Sequence, residues 1–390
     1  QRIAWLLEGG NFKTPERTLG ATTSTFCSLT PRPRGPCALA PIDIASWCLN
    51  MKSSKAHVEE RAAIAVNMVR DSRNRPLRDL RISLTDRCNM RCRYCMPREH
   101  FGTNHVFLAK KEILSYEELT TVVESLIPLG LSKVRLTGGE PLLRKDICNF
   151  IKILPKELDI AMTTNGILLE RFAEDLADAG LDRVTVSLDA VDVETFQAMG
   201  DTDEVPETVL LGIEAARKVG LSVKVNTVIR AGYNEHSVKM VADRFIGSDV
   251  IVRYIEFMDV GQTNSWNLDE VITGDMMRNM FDEIKPLDAN HVGEVANRYV
   301  RGSQEIGFIE SVSKPFCGDC NRARISADGS LYTCLFASKG NDLKAMIRMN
   351  ASKDDIAEAV RSIWTKRDDA YSQNRGEADV DKVEMSFIGG

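Results

Sequence analysis

At 390 residues the chain is long enough for two or three domains, or for one barrel-sized domain with an appendage. Apolar residues make up 43%, charged residues 27%, and the formal net charge is −6; no run of about 18 apolar residues occurs, so disorder throughout and a helical membrane span are excluded as readings. The mildly acidic balance argues against wholesale binding along a nucleic-acid backbone, which needs clustered Lys and Arg, so an anionic ligand must meet a local basic pocket.

Residues 1–50 carry five of the thirteen prolines, nine Ser or Thr, a net charge of +2 and no periodicity. Such a segment has little apolar surface to bury, and an extension over 1–70 is expected to be largely disordered. It reads either as a mitochondrial transit peptide, a pattern spoiled by Glu8, Glu16 and Asp43, or as upstream sequence ahead of a start at Met51. From about residue 79, short β-branched runs alternate with amphipathic stretches. The runs are 80–86, 132–138, 159–166, 183–190, 222–229 and 250–259, with helical patterns around 115–129, 144–155, 170–179, 205–219 and 234–246. Strand then helix, repeated six times, predicts parallel strands with right-handed crossovers. Six units do not close an eight-fold barrel, so the expected fold is α/β, a partial TIM-type barrel over 71–300, with ligands gathered at the carboxyl ends of its strands. After about residue 260 the alternation stops, and 301–390 is expected to form an irregular α+β region.

Ten cysteines are too few in so long a chain for a disulfide scaffold, and six of them form two triplets. Cys88, Cys92 and Cys95 have C-x3-C-x2-C spacing after the first predicted strand; Cys317, Cys320 and Cys334 have C-x2-C-x13-C spacing. Three thiolates hold three irons of a cubane cluster and leave the fourth open, whereas electron-transfer clusters are closed by four. The alternative for the first triplet is a Cys3His zinc knuckle completed by His100. A structural zinc site is normally fully closed, so two open triplets favour iron–sulfur clusters over zinc.

The first triplet with Tyr94, followed by the 138-GGEP-141 turn, resembles the radical S-adenosylmethionine (SAM) superfamily. The second triplet, Arg322-x-Arg324 and the Gly389-Gly390 tail resemble within it the GTP 3′,8-cyclase (MoaA) family of molybdenum cofactor synthesis, from about residue 77 onward. The resemblance implies two [4Fe–4S] clusters, one on each triplet, with SAM on the open iron of the first and GTP guanine on that of the second. It implies a SAM site of Tyr94, Gly139, Thr163, Ser187, Lys224 and Met258. It implies a GTP site of Arg81, Lys133, Arg135, Thr137, Arg253, Arg322 and Arg324. The implied chemistry is removal of the ribose C3′ hydrogen by an adenosyl radical and closure of C3′ onto guanine C8. Implied partners are a downstream cyclic pyranopterin monophosphate synthase, an electron donor such as flavodoxin or ferredoxin, and a second copy in a homodimer, with no nucleic acid and no membrane. The implied location is the cytoplasm of a bacterium or the mitochondrial matrix of a eukaryote.

Four of the basic positions are informative from pattern alone. Arg81, Lys133, Arg135 and Arg253 lie within runs that otherwise read as buried, where an unpaired charge is expensive. Lys133 and Arg135 share a strand face and need an anion between them, unless each pairs with a carboxylate such as Glu256. The run 383-VEMSFI-388 predicts a short strand that aims Gly389 and Gly390 inward. The rival readings are another radical SAM enzyme with an auxiliary cluster, against which no cysteine follows Cys334, and a zinc-knuckle nucleic-acid-binding protein.

Overall fold

The structure, a computed structural model, describes residues 68–376 and 381–390, all within one compact unit. The N-terminal extension expected over 1–70, and the candidate start at Met51, lie outside the described residues except for 68–70. No described helix is long and apolar enough to cross a membrane.

The six predicted strands form as read: β1 Asp79–Ser83, β2 Lys133–Thr137, β3 Asp159–Thr164, β4 Arg183–Ser187, β5 Ser222–Ile229 and β6 Ile251–Glu256. They pair in parallel in chain order. Their crossovers carry α1 Tyr116–Leu126, α2 Ile147–Ile153, α3 Leu169–Ala179, α4 Val193–Gly200, α5 Pro206–Lys218 and α6 Ser237–Arg244. Alternation sets the faces. Leu80 and Ile82 of β1, Val134 and Leu136 of β2, and Val184 and Val186 of β4 are fully buried in the hydrophobic core. The intervening Arg81, Arg135 and Thr185 point to the opposite face and line a cavity or bond to its walls. Local signals fix the helix starts: Ser115 and Glu118 form a capping box at α1, and Asp192 accepts the Thr195 N–H at α4. Helix α4 is an addition to the expected pattern, and that Asp192 cap is the signal that marks it.

The C-terminal part is more regular than expected. The described residues add α7 Gly274–Arg278, β7 Lys285–Pro286, β8 Asn297–Arg301, β9 Gln304–Ile309, β10 Arg322–Ile325, β11 Ser330–Tyr332, β12 Asn341–Asp342, α8 Lys344–Arg348, α9 Lys353–Thr365 and α10 Met385–Ile388. Strand β9 joins β6 in parallel and β10 joins β1 in parallel, giving one open sheet in the order β12-β11-β10-β1-β2-β3-β4-β5-β6-β9-β8-β7. The partial barrel is therefore extended on both edges by the segment expected to be a separate region. The 300/301 boundary falls inside β8.

The strand expected over 383–388 is instead the short helix α10. Both edges of β1, the strand it packs on, are taken by β10 and β2, so the segment has no free edge to join. It turns on Glu384, whose carbonyl accepts the Phe387 and Ile388 N–H groups. The fully buried Ile388 anchors the turn.

Candidate functional site

One cavity of about 710 Å³ runs through the barrel and is lined by all six triplet cysteines. Strand direction gives it two ends. Cys88, Cys92 and Cys95 follow the carboxyl end of β1, whereas Cys317 and Cys320 precede the amino end of β10, its parallel neighbour. A five-residue strand separates these ends by roughly 16 Å at about 3.3 Å per residue. All the sequence-predicted site residues line this cavity except Gly389, which bonds to one of its walls.

At the carboxyl end, the three thiols of the first triplet are unpaired and partly buried. Burial pushes the Cys88 thiol up to about 11, aided by Glu140, and raises Cys92 and Cys95 as well, each also facing the charge of its fellow cysteines. Iron must displace those protons to bind. Among the described residues no three His, Cys, Asp or Glu side chains converge closely enough to hold a single metal ion. A cubane takes each thiolate on a separate iron, which suits three thiols at the mouth of one cavity. The donor set fits the cluster.

The Gly-Gly turn packs directly on the cysteine loop. The Gly139 N–H donates to the Thr85 carbonyl at 2.7 Å, and a Cβ on Gly139 would collide with the Arg87 carbonyl, so only glycine lets the two backbones meet. Glu140 locks this turn to the end of β3, accepting from Thr164 Oγ1 at 2.7 Å and from the Asn165 N–H at 2.8 Å; burial raises its carboxyl to about 7 despite these bonds. Tyr94 Oη donates to Asp189 Oδ2 at 2.8 Å, and the Val228 N–H donates to Oδ1 at 2.9 Å. Burial lifts the Asp189 carboxyl to about 6 against those bonds. Ser187 and Met258 stand at the ends of β4 and β6 on the same cavity wall.

Through its middle the cavity is basic. Arg81 pairs in register with Arg135 on β2 and Arg324 on β10. Among the described residues, Arg81, Arg135, Arg253, Arg322 and Arg324 have no carboxylate within ion-pair distance. Arg135 donates from Nη1 to the hydroxyls of Thr163 at 3.2 Å and Thr185 at 3.1 Å. Arg253 donates to Asn226 Oδ1 at 2.9 Å. Nε of Arg81 and Nε of Arg135 are buried without a partner.

The alternative partner Glu256 is occupied elsewhere: its fully buried carboxylate accepts the N–H groups of Gly274, Val312 and Ser313, tying α7 and the β9–β10 connection to β6. Lys133 approaches Asp159 at 3.8 Å, but Arg183 already pairs with that carboxylate. Burial and the neighbouring arginines hold Lys133 down to about 7, Lys224 to about 8, Arg253 to about 9 and Arg324 to about 10. Lys224 therefore keeps company with Arg253, Arg183, Glu294 and Glu305, and Thr163 bonds to Arg135, so both stand in the basic layer.

At the amino end, burial pushes the Cys334 thiol up to about 11, whereas Arg322 and Arg367 outweigh burial at Cys320 and bring it down to about 6. The tail enters from the β1 side. The Gly389 carbonyl accepts from Arg324 Nη1, and Thr137 Oγ1 lies 3.4 Å from the Gly390 carbonyl. Gly389 adopts φ +79°, and a Cβ there would collide with Thr137 Cγ2.

Sequence reasoning missed Arg183 and Asn226 as wall residues, whereas Asp189 falls, as its place at the end of the fourth strand run predicts, at the carboxyl end of the barrel. Arg183 was within reach, because it leads β4 in the same inward register as Thr185 and Ser187. Arg75 and Arg367, which bond to the second triplet, carry no sequence signal, because their role rests on contacts across more than 240 and about 47 positions.

Residues 82–245 match the Radical SAM superfamily, and residues 250–373 match Molybdenum Cofactor Synthesis C. A protein of Acidothermus cellulolyticus described as a GTP 3′,8-cyclase is 45% identical over 358 residues, covering 83% of this chain and 99% of its own. The chain belongs to the GTP 3′,8-cyclase family. A GTP 3′,8-cyclase of Staphylococcus epidermidis is 43% identical over 337 residues, again covering 83% of this chain and 99% of its own. Among solved structures, Streptococcus suis SuiB bound to S-adenosylmethionine is similar at a TM-score of 0.52 and 13% identity, covering 87% of this chain and 75% of that one. At that identity the likeness speaks for the fold alone: the GTP 3′,8-cyclase family builds its site on a radical SAM partial barrel, and membership implies a [4Fe–4S] cluster with SAM.

Proposed function

We propose that this chain converts GTP to (8S)-3′,8-cyclo-7,8-dihydroguanosine 5′-triphosphate, the first step of molybdenum cofactor biosynthesis, a lyase reaction of radical SAM type. The observation that carries the reading is one cavity with a cysteine triplet at each end and, between them, five arginines that have no carboxylate within ion-pair distance among the described residues. When bound, the first cluster and SAM supply a 5′-deoxyadenosyl radical.

The chain's own residues supply position and charge. Cys88, Cys92 and Cys95 hold the first cluster. Tyr94, Gly139, Ser187 and Met258 surround SAM, with Tyr94 fixed by Asp189. Arg81, Lys133, Arg135, Arg253, Arg322 and Arg324 take the triphosphate, whose oxygens suit forked guanidinium donors, and Thr137 stands beside them. Lys224 and Thr163, both standing in the basic layer, join this set. Cys317, Cys320 and Cys334 would hold a second [4Fe–4S] cluster, which would supply a binding point for the guanine end of the nucleotide.

The same reading carries with it a downstream cyclic pyranopterin monophosphate synthase, a small electron carrier of the flavodoxin or ferredoxin type and a homodimer. It also carries a site of action in the bacterial cytoplasm or the mitochondrial matrix, which cell fractionation tests. For the reaction itself, Cys88→Ala and Cys317→Ala, each reconstituted anaerobically with GTP, SAM and reductant, are the decisive pair. Cys88→Ala is expected to lose 5′-deoxyadenosine formation; Cys317→Ala is expected to retain some of it while losing the cyclised product. Each variant should keep about half the iron. Loss of all iron from either one shows that the triplets share a single centre and overturns the assignment.

A further inference from the structure

We infer that Arg367 is a positioning residue for the second triplet's cluster, fixing Cys320 and raising the cluster's reduction potential through an N–H···S bond. The inference rests on the reading that Cys317, Cys320 and Cys334 hold a cluster. Arg367 follows α9 and is almost wholly buried, its guanidinium lying 4.5 Å over the Trp364 ring. Its Nη2 donates to Cys320 Sγ at 3.2 Å and its Nη1 to the Cys320 carbonyl at 2.8 Å, so one planar fork grips both the ligand atom and its backbone.

The fork is itself held. Asp71, buried, accepts from Arg367 Nη1 at 3.2 Å and from Arg75 Nε at 2.6 Å. Arg75 in turn donates to the Cys317 carbonyl at 2.8 Å. Asp369 meets only the far, Nε edge of Arg367, at 3.3 Å. Nη2, the nitrogen that faces sulfur, donates to no carboxylate: Asp71 meets Nη1 and Asp369 meets Nε.

Reduction adds one electron, whose charge spreads onto the sulfurs. A donor aimed at a ligating sulfur stabilises the reduced form more than the oxidised one and raises the potential. The first triplet has no counterpart among the described residues. Its nearest side-chain donor, Asn165 Nδ2, is neutral and 3.8 Å from Cys88 Sγ, and buried Glu140 and Asp189 stand nearby. The fold thus sets two clusters of the same type at different potentials, with the second the easier to reduce.

The test is an EPR-monitored redox titration of full-length protein carrying both clusters, with dithionite supplying the electron and SAM added to displace the first cluster's signal. In Arg367→Gln the oxidised-to-reduced ratio of the second cluster at a fixed potential is expected to rise about tenfold, a midpoint lower by about 59 mV for one electron. Iron content and the first cluster's midpoint should not move, and Arg367→Lys should recover part of the shift. An unmoved second midpoint with iron retained makes Arg367 a structural tie only and overturns the inference. Iron for a single cluster in the parent protein overturns the underlying two-cluster reading instead. Should Arg367→Gln not fold, parent protein grown on guanidino-¹⁵N arginine gives the same decision: an arginine nitrogen coupling to the reduced second cluster that is lost in Arg367→Lys supports the bond, and its absence in the parent overturns it.

Discussion

Replacing Arg135 by Met separates a binding cation from a structural one, because the two roles predict different changes in the stability of the nucleotide-free protein. The Met stem keeps most of the buried volume and removes the charge together with the donors to Thr163 and Thr185. If the guanidinium binds triphosphate, the lost charged hydrogen bonding is about 1.5–3 kcal/mol, or roughly 10- to 150-fold in GTP affinity. Without GTP the balance is different. Among the described residues Arg135 has no carboxylate within ion-pair distance; burial disfavours its charge more than the more distant Asp79 supports it, and Arg322 repels it, so replacing this buried cation by an apolar side chain gains about 1–4 kcal/mol. The two lost hydroxyl bonds cost about 1 kcal/mol each. The free protein should change by between about −1 and +2 kcal/mol, which is −2 to +4 °C at about 2 °C per kcal/mol for a chain this long. Breaking a buried salt bridge would instead cost about 3–5 kcal/mol, a fall of about 6–10 °C. Anaerobic equilibrium dialysis with GTP and guanosine, beside thermal melts of the nucleotide-free protein, reads both. A melting temperature lowered by more than about 6 °C with GTP affinity intact would refute the reasoning, and so would equal losses for GTP and guanosine.

Lys133 and Lys224 stand at about 7 and about 8 because burial and neighbouring arginines disfavour their charged forms. A triphosphate favours those forms, so GTP binding should take up protons near pH 8 and weaken as the pH rises from 7 to 9. Calorimetry in two buffers of unequal ionisation enthalpy measures the uptake, and a value of zero removes both lysines from the phosphate set. Folding runs the opposite way: the depressed values mean that the folded state resists these protons, so stability without GTP should climb as pH rises from 7 toward the ordinary lysine value of 10.5. At the tail, Gly389→Ala combines a left-handed backbone penalty of roughly 1–2 kcal/mol with a clash against Thr137, and should cut cyclised product severely while iron content and GTP affinity persist. Turnover at the parent rate would make the tail incidental.

The strands of the barrel and most of the site were legible because both obey short-range rules. Period-two alternation places Arg81, Arg135 and Arg253 inside, and the tight C-x3-C-x2-C spacing declares itself within eight residues. What was not legible depends on pairing between distant segments. Nothing in 304–309 or 322–325 announces that these strands extend the two edges of the barrel. The turn at 385–388 was misread because alternation describes a pattern of burial, and a single helical turn packed on a sheet buries Ser386 and Ile388 just as a strand would. Arg75 and Arg367 look like ordinary surface arginines until Asp71 and the cysteine carbonyls are seen beside them.

The parallel pairing of β10 with β1 explains why the two triplets face each other through one cavity instead of sharing a rim. Cysteines that precede one parallel strand and follow its neighbour must lie at opposite ends, a strand length apart. On the function proposed above, a ligand held at each end would project toward the middle, where the arginine layer would meet phosphate. The Gly389 carbonyl reaches that same layer through Arg324, whose strand neighbour is Arg81. A side chain there would meet Thr137 at the carboxyl end of β2. Bare backbone therefore sits between the arginine of β10 and the threonine at the end of β2, where a side chain would not fit.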